Sequence, residues 1–225
     1  MKGLRSVAAI LAGTMLAGLM SQGVLAAANA GRVTQIHGRA TMASPDGNIQ
    51  RIRKGSGVDA GATINTSAGS FAKIKFNDGG SIFLRPSTRF RVDAFEDSGG
   101  KKKTEKSFFS LIKGGMRFVT GLIGKRNRNA YRVNTPTATI GIRGTDGALQ
   151  ICNNNCIAPN GLHVLVFDGA VVTTTPTGEV VSAAGKAAFV GADGTPQEAD
   201  PDDSPITEDN FPSPEGDAVA ADCTP

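Results

Sequence analysis

The sequence predicts an all-β protein: many short strands in a single sandwich, roll or solenoid-like domain, followed by a disordered acidic tail. Three observations predict it. Apolar and polar residues alternate in short runs, as half-buried strands require. Gly, Pro, Asn and Asp fall at close intervals between those runs, the spacing of sandwiches, rolls and solenoids. No twelve-residue window carries a convincing 3.6-residue period.

The first residues stand outside that fold. Lys2 and Arg5 form a short positive region, Val7 to Leu19 is apolar apart from small residues, and small residues cluster at Val24, Ala26, Ala28 and Ala30. This is the pattern of a signal peptide, residues 1–30, with cleavage expected after Ala30 or Ala26. The apolar run is shorter than the ~20 residues needed to span a bilayer. The later apolar stretch 107–124 is interrupted by Lys113 and Arg117, so no transmembrane segment is expected in the mature chain. Export predicts a periplasmic or secreted location.

Strands are expected next at 33–42 and 61–65. In Phe71-Ala-Lys-Ile-Lys-Phe76, Ala72, Ile74 and Phe76 point one way, and Lys73 and Lys75 the other. Asn77-Asp78-Gly79-Gly80 supplies a tight turn. The return strand 81–85 puts Ile82 and Leu84 inside and Arg85 outside. Arg89-Phe-Arg-Val-Asp93 repeats the rule, with Phe90 and Val92 inward. Further strands fit 107–112, 116–120, 131–134, 137–143, 163–167, 170–174 and 187–190.

The most patterned stretch is Thr135-Pro-Thr-Ala-Thr-Ile-Gly-Ile-Arg-Gly-Thr145. Ala138, Ile140 and Ile142 share one face; Thr137, Thr139, Gly141 and Arg143 share the other. Pro136 lacks an N–H and belongs at a strand start or an edge. Gly141 and Gly144 mark places where another backbone comes close or φ turns positive. Arg143 either ties loop carbonyls together or binds a carboxylate bidentately.

Charge is polarised along the chain. Gly31 to Leu149 holds 21 Lys and Arg against 8 Asp and Glu; Gln150 to Pro225 holds Lys186 against 12 acids. Residues 192–225 are rich in Asp, Glu, Pro and Gly and poor in large apolar side chains. That composition predicts a disordered tail, because too little surface is buried to offset ordering entropy. The tail either solubilises the protein or folds back on the basic body and competes with an anionic partner. In an oxidising compartment Cys152-Asn-Asn-Asn-Cys156 is expected to be a disulfide, and no His or further Cys lies near enough in sequence to complete a zinc set. Cys223 is left free or pairs between chains.

The residues from Gly114-Gly-Met-Arg-Phe-Val-Thr-Gly121, and from Tyr131 through the TPTATIGIRGT stretch, closely resemble the core of the FecR-type domain. Gly31-Arg-Val, Gly38, Gly61-Ala-Thr-Ile-Asn-Thr66, Asp78-Gly79 and Val164-Leu-Val-Phe-Asp-Gly-Ala-Val171 fit the same pattern, so the resemblance covers roughly 31–191. It implies a binding or sensing module without known catalysis and without a cofactor. Family regulators carry a cytoplasmic anti-sigma segment and a membrane helix; this chain reads as a stand-alone exported member. Asp146-Gly147 and the CNNNC loop stand where members often place a large apolar residue.

The two histidines, His37 and His163, lie in no Ser-His-Asp order, and no GxSxG, P-loop or paired-carboxylate motif appears, so the protein is read as no enzyme. Lys73, Lys75, Arg85, Arg89 and Arg91 are expected on one basic sheet face, the candidate ligand surface together with Arg143. Lys101, Lys102, Lys103, Lys125, Arg126, Arg128 and Arg132 add further charge. Partners in reach of an exported basic face are an envelope protein, an anionic polysaccharide or a lipid surface. Nucleic acid is disfavoured by export and by the scarcity of aromatics for stacking. The function expected is an exported binding or scaffolding module; the alternative is an accessory sensor in ferric-siderophore or other cell-surface signalling, working with a separate membrane anti-sigma regulator.

Overall fold

The structure, a computed structural model, describes residues 29–100 and 104–215, apart from the side chain of Arg143. Among these residues the strands are β1 (Asn29–His37), β2 (Ala40–Ala43), β3 (Ile49–Arg51), β4 (Gly57–Asp59), β5 (Thr63–Thr66), β6 (Phe71–Phe76), β7 (Ser81–Leu84), β8 (Arg89–Glu96) and β9 (Lys106–Val119). After the single turn-and-a-half helix α1 (Leu122–Arg126) come β10 (Tyr131–Asn134), β11 (Thr139–Cys152), β12 (Gly161–Thr175), β13 (Gly178–Ala183), β14 (Ala187–Val190) and β15 (Pro196–Ala199). The all-β expectation holds, and 71–76, 131–134 and 187–190 fall where alternation placed them.

Three strands are far longer than the sequence pattern implied, and they organise the fold. β9 pairs through its first half with β8 and, in parallel, with β10; its second half pairs with β7 and β11. β11 pairs first with β10 and the end of β12, then with β9 and the start of β12. β12 starts beside β14 and ends beside β13. Two layers result. The first runs β3-β2-β5-β8-β9-β10-β11-β12-β13, and the second β4-β1-β6-β7-β9-β11-β12-β14-β15. The three long strands pass from one layer to the other, as strands do at the corners of packed sheets.

Each crossing strand bends at a glycine with positive φ: Gly114 at 83°, Gly144 at 62° and Gly169 at 78°. This corrects two readings. The segments 163–167 and 170–174 are one strand, β12, bent at Gly169, and the segments 107–112 and 116–120 are one strand, β9, bent at Gly114. A side chain at Gly114 would also strike Thr88, whose Cα lies 2.6 Å from the position of a Cβ. Turn chemistry and sheet-switching chemistry look alike in sequence, because both require φ above zero.

The core lies between the layers. Phe76 of the second layer meets Phe95 and Phe109 of the first at ring distances of 5.5 and 5.0 Å, and Phe109 also meets Phe90 and Tyr131. Ile74, Ile82, Leu84, Phe90, Val92, Ile140 and Ile142 are buried there, each on the face that alternation assigned to it.

The folded body is wider than 31–191. Ala30 is fully buried, its carbonyl accepts from Asn77 N–H at 2.9 Å, and Asn29 accepts from Asn77 Nδ2 at 2.7 Å. At the other end β15 adds to the sheet beside β14, and Ile206 and Phe211 are buried. The disordered reading of 192–225 therefore fails for 192–215. Mean composition counts apolar residues but cannot tell that two of them land on an apolar surface. Residues 1–28, with the predicted signal peptide, and 216–225, with Cys223, lie outside the described residues, as do Lys101, Lys102 and Lys103.

Candidate functional site

The TPTATIGIRGT stretch builds the joint between layers. Thr135 closes the turn from β10 to β11: its hydroxyl donates to Ala138 O at 2.9 Å and accepts from Ala138 N–H at 3.0 Å. Pro136 sits in that turn and not at a strand edge. Thr145, buried beyond the Gly144 bend, accepts and donates on both sides. Its N–H meets Thr120 Oγ1 at 2.8 Å, and its hydroxyl donates to Ala170 O at 2.6 Å. The stretch thus bolts β11 to the end of β9 and to β12. Gly141 needs neither positive φ nor a close backbone: a Cβ there finds only Val172, at 3.9 Å. Arg143 pairs through its backbone with Ala170 of β12.

The basic residues do not share one face. Lys73, Lys75 and Arg85 stand on the exterior of the second layer, whereas Arg89 and Arg91 on β8 stand on the exterior of the first. β6 and β8 are not neighbours. Lys73 is only 5% exposed, opposite Phe83 and beside Phe71 on a covered aromatic surface. Arg85 is half-buried: its Nη1 donates to Gln150 Oε1 at 3.1 Å, and its guanidinium lies 4.7 Å from the Phe211 ring. Strand parity places a residue inside or outside correctly, yet it carries no information about which of two exteriors a strand faces.

On the exterior of the first layer, the cross-strand register aligns Arg51, Thr41, Asn65, Arg89 and Lys113. Arg91 stands one step along, tied to Asp93, and Arg132 lies 3.9 Å over the Phe108 ring. Among the described residues no ion pair engages Arg51, Arg89, Lys113 or Arg132. Ile112, next to Lys113 on β9, exposes apolar surface there, and Val181 does so on β13, in register with Arg132 but three strands away. This open face of arginine and apolar side chains is the candidate interaction site.

The exterior of the second layer is covered over β9, β11, β12 and β14. Residues 204–215 cross it as a strap, with Ile206 and Phe211 packed on Ala148, Leu165, Phe167, Ala187 and Ala199. At its centre stands Arg117, 5% exposed. Its Nε and Nη2 donate to both oxygens of Asp146 at 2.8 and 2.7 Å, Nη1 donates to Phe211 O at 2.7 Å, and its plane lies 3.8 Å from the Phe167 ring. In the sequence Arg117 stands out as an interruption of an apolar run and as part of the Gly114–Gly121 stretch that resembles FecR. An arginine between Met116 and Phe118 on a β-strand was itself the available signal, since a cation buried in that setting requires a carboxylate.

The titratable groups elsewhere serve the frame. Asp78 is buried, and burial raises its carboxyl above the usual range. It accepts from Gly80 N–H at 3.0 Å and from Ile123 N–H at the start of α1. Glu105 is held below its usual range by Gly100 and Ser98 N–H, the Ser98 hydroxyl and Arg126, 3.1 Å away. Burial lowers His163, an interior histidine whose Nε2 lies 2.8 Å from Pro159 O. Among the described residues no cluster of three or more His, Cys, Asp or Glu is placed to hold a metal. Cys152 and Cys156 are bridged across a Cα separation of 5.5 Å, as expected. A disulfide fits an extracytoplasmic location. Among the described residues no helix is long and apolar enough to cross a membrane.

Residues 62–172, from β5 to most of β12, match the family described as FecR protein. The protein is a FecR-domain protein. Two crystal structures of a candidate anti-sigma factor from Parabacteroides distasonis, at 1.65 and 2.50 Å resolution, are similar to it. Each shows 15% identity and a TM-score of 0.48 over 61% of this chain. The chain spans 59% of the length of those structures. No curated protein matches. The FecR segment contains all three bends and the Arg117–Asp146 pair, whereas β13 to β15 and the strap lie outside it. FecR domains belong to a regulatory, non-enzymatic family, and a signalling-related role fits this one.

Proposed function

We propose that this protein is an exported, non-catalytic FecR module that recognises a protein partner in the cell envelope through the exterior of its first layer. The match to FecR over 62–172 carries this reading, because that segment supplies Arg89, Arg91, Lys113 and Arg132. Arg89, Arg91 and Arg132, with Phe108 under Arg132 and the exposed Ile112 between β8 and β10, suit an acidic protein surface, since interfaces are enriched in Arg and aromatic residues. Polysaccharide and lipid draw no such support.

Charge reversal tests the proposal. Arg89→Glu with Lys113→Glu should leave melting within a few degrees, as exposed substitutions do. It should abolish cross-linking of the purified protein to the envelope protein captured by the native chain. Undiminished cross-linking by the double variant would refute the face assignment. The accessory-sensor reading rests on the FecR match alone. It predicts that deleting the gene changes transcription from a sigma-factor-dependent promoter, and an unchanged transcript profile rejects it.

A further inference from the structure

The strap raises a question that the first-layer face does not touch. Residues 204–215 form a self-contained unit. Phe211 N–H donates to Thr207 O at 2.9 Å, Thr207 N–H to Asn210 Oδ1 at 2.9 Å, and Asn210 Nδ2 to Pro205 O at 3.0 Å. No strand lies within it, so it can leave the sheet without opening a ladder of backbone bonds.

The floor beneath it stays built when it leaves. Arg117 keeps both bonds to Asp146, and Arg85 keeps Gln150. Gly115 clears the space for the ring: a Cβ there would lie 2.9 Å from Phe211 Cζ. A cavity of about 230 Å³ lies at the base of the strap, between His163 and Phe189 on the sheet and Asp200 and Ser204. Arg85, Gly115, Arg117, Asp146 and Gln150 all lie within the FecR-matched segment, and the strap lies beyond it.

We propose that this floor is a peptide-binding groove, and that residues 204–215 are a resident plug displaced by an aromatic peptide segment of a protein partner. The ligand chemistry is read from the plug. A Phe ring lies against Arg85 and Gly115, a main-chain carbonyl accepts from Arg117 Nη1, an aliphatic side chain fills the place of Ile206, and acidic residues flank them. A groove that is filled only part of the time by its own chain lowers the apparent affinity of outside ligands by the open fraction, which makes the plug autoinhibitory.

The test uses the full chain with Ile206→Ala and Phe211→Ala together, and a fluorescent peptide of residues 204–215 as probe. Anisotropy should show saturable binding to the double variant, at least tenfold tighter than to the native chain. Replacing the peptide's Phe by Ala should abolish it. In the native chain, hydrogen exchange of 204–215 should be faster than that of β11 and β12 by tenfold or more. Equal peptide affinity for both chains, no binding to a double variant that keeps its native far-UV spectrum, or loss of the fold in that variant would each overturn the proposal. So would exchange of the strap at the rate of β11. None of these readouts depends on Arg89 or Lys113, so failure here is distinct from failure of the first-layer interface.

Discussion

Arg117→Met removes the side chain on which the second exterior turns. The replacement is similar in length and keeps the packing against Phe167, but it deletes three hydrogen bonds and leaves Asp146 and Phe211 O without their donor. Breaking a buried ion pair from one side costs roughly 3–5 kcal/mol, because the surviving charge stays desolvated. Asp146 retains 19% side-chain exposure and recruits water, which sets the expectation at the lower end, about 3 kcal/mol. Loss of the cation–ring contact with Phe167 falls within that figure, at ~0.5–1 kcal/mol. For a chain of this size about 2–4 °C of melting temperature accompanies each kcal/mol, so the melt should fall by roughly 6–12 °C. Arg117→Lys keeps the charge but not the planar fork, and should lose about half as much. Thermal melts by circular dichroism, with the disulfide intact, measure both. A drop under about 3 °C for Arg117→Met would refute the reasoning, since it would mean the pair contributes no more than an exposed one.

Ile142→Ala should cost about 2–5 kcal/mol by chemical denaturation, through transfer and cavity terms at a position 3% exposed. In the same stretch Gly141→Ala should be neutral or stabilising by about 0.5–1 kcal/mol, whereas Gly144→Val should destabilise, because a β-branched residue resists a φ of 62°. Glu105→Gln should destabilise at neutral pH. The carboxyl is held below its usual range, so its contribution is present above pH 4.5 and is lost as pH falls through the lower folded value; native and variant melts should converge in acid, and a constant gap would contradict this. If the chain is cleaved on export, N-terminal sequencing should begin at Ala27 and not at Gly31, because cleavage after Ala30 would remove the residues whose carbonyls hold Asn77.

Much of the frame was legible in the residues themselves. Alternation in 71–76, 81–84 and 131–134 depends on nearest neighbours along one strand, and a period of two survives any tertiary arrangement. The bridge between Cys152 and Cys156 was equally local. Lys73 shows the limit: its outward position was right, but an exterior covered by aromatic residues buries whatever points into it. Arg143 stands in a local motif that one strand displays, whereas the role of Arg117 depends on Asp146, 29 residues away.

By itself the sequence determined the strand class, the inward faces, the tight turn at Asp78-Gly79 and the bridged loop, because each is set within a few residues by side-chain parity or backbone sterics. Only the tertiary structure decided that Gly114, Gly144 and Gly169 are corners where strands change layers. It also sent the basic residues to two opposite exteriors, and made Ile206 and Phe211 in an acidic segment into a cover. These depend on pairings between residues tens of positions apart. Such pairings are chosen by the total burial of the two layers, a quantity that no short window of the chain contains.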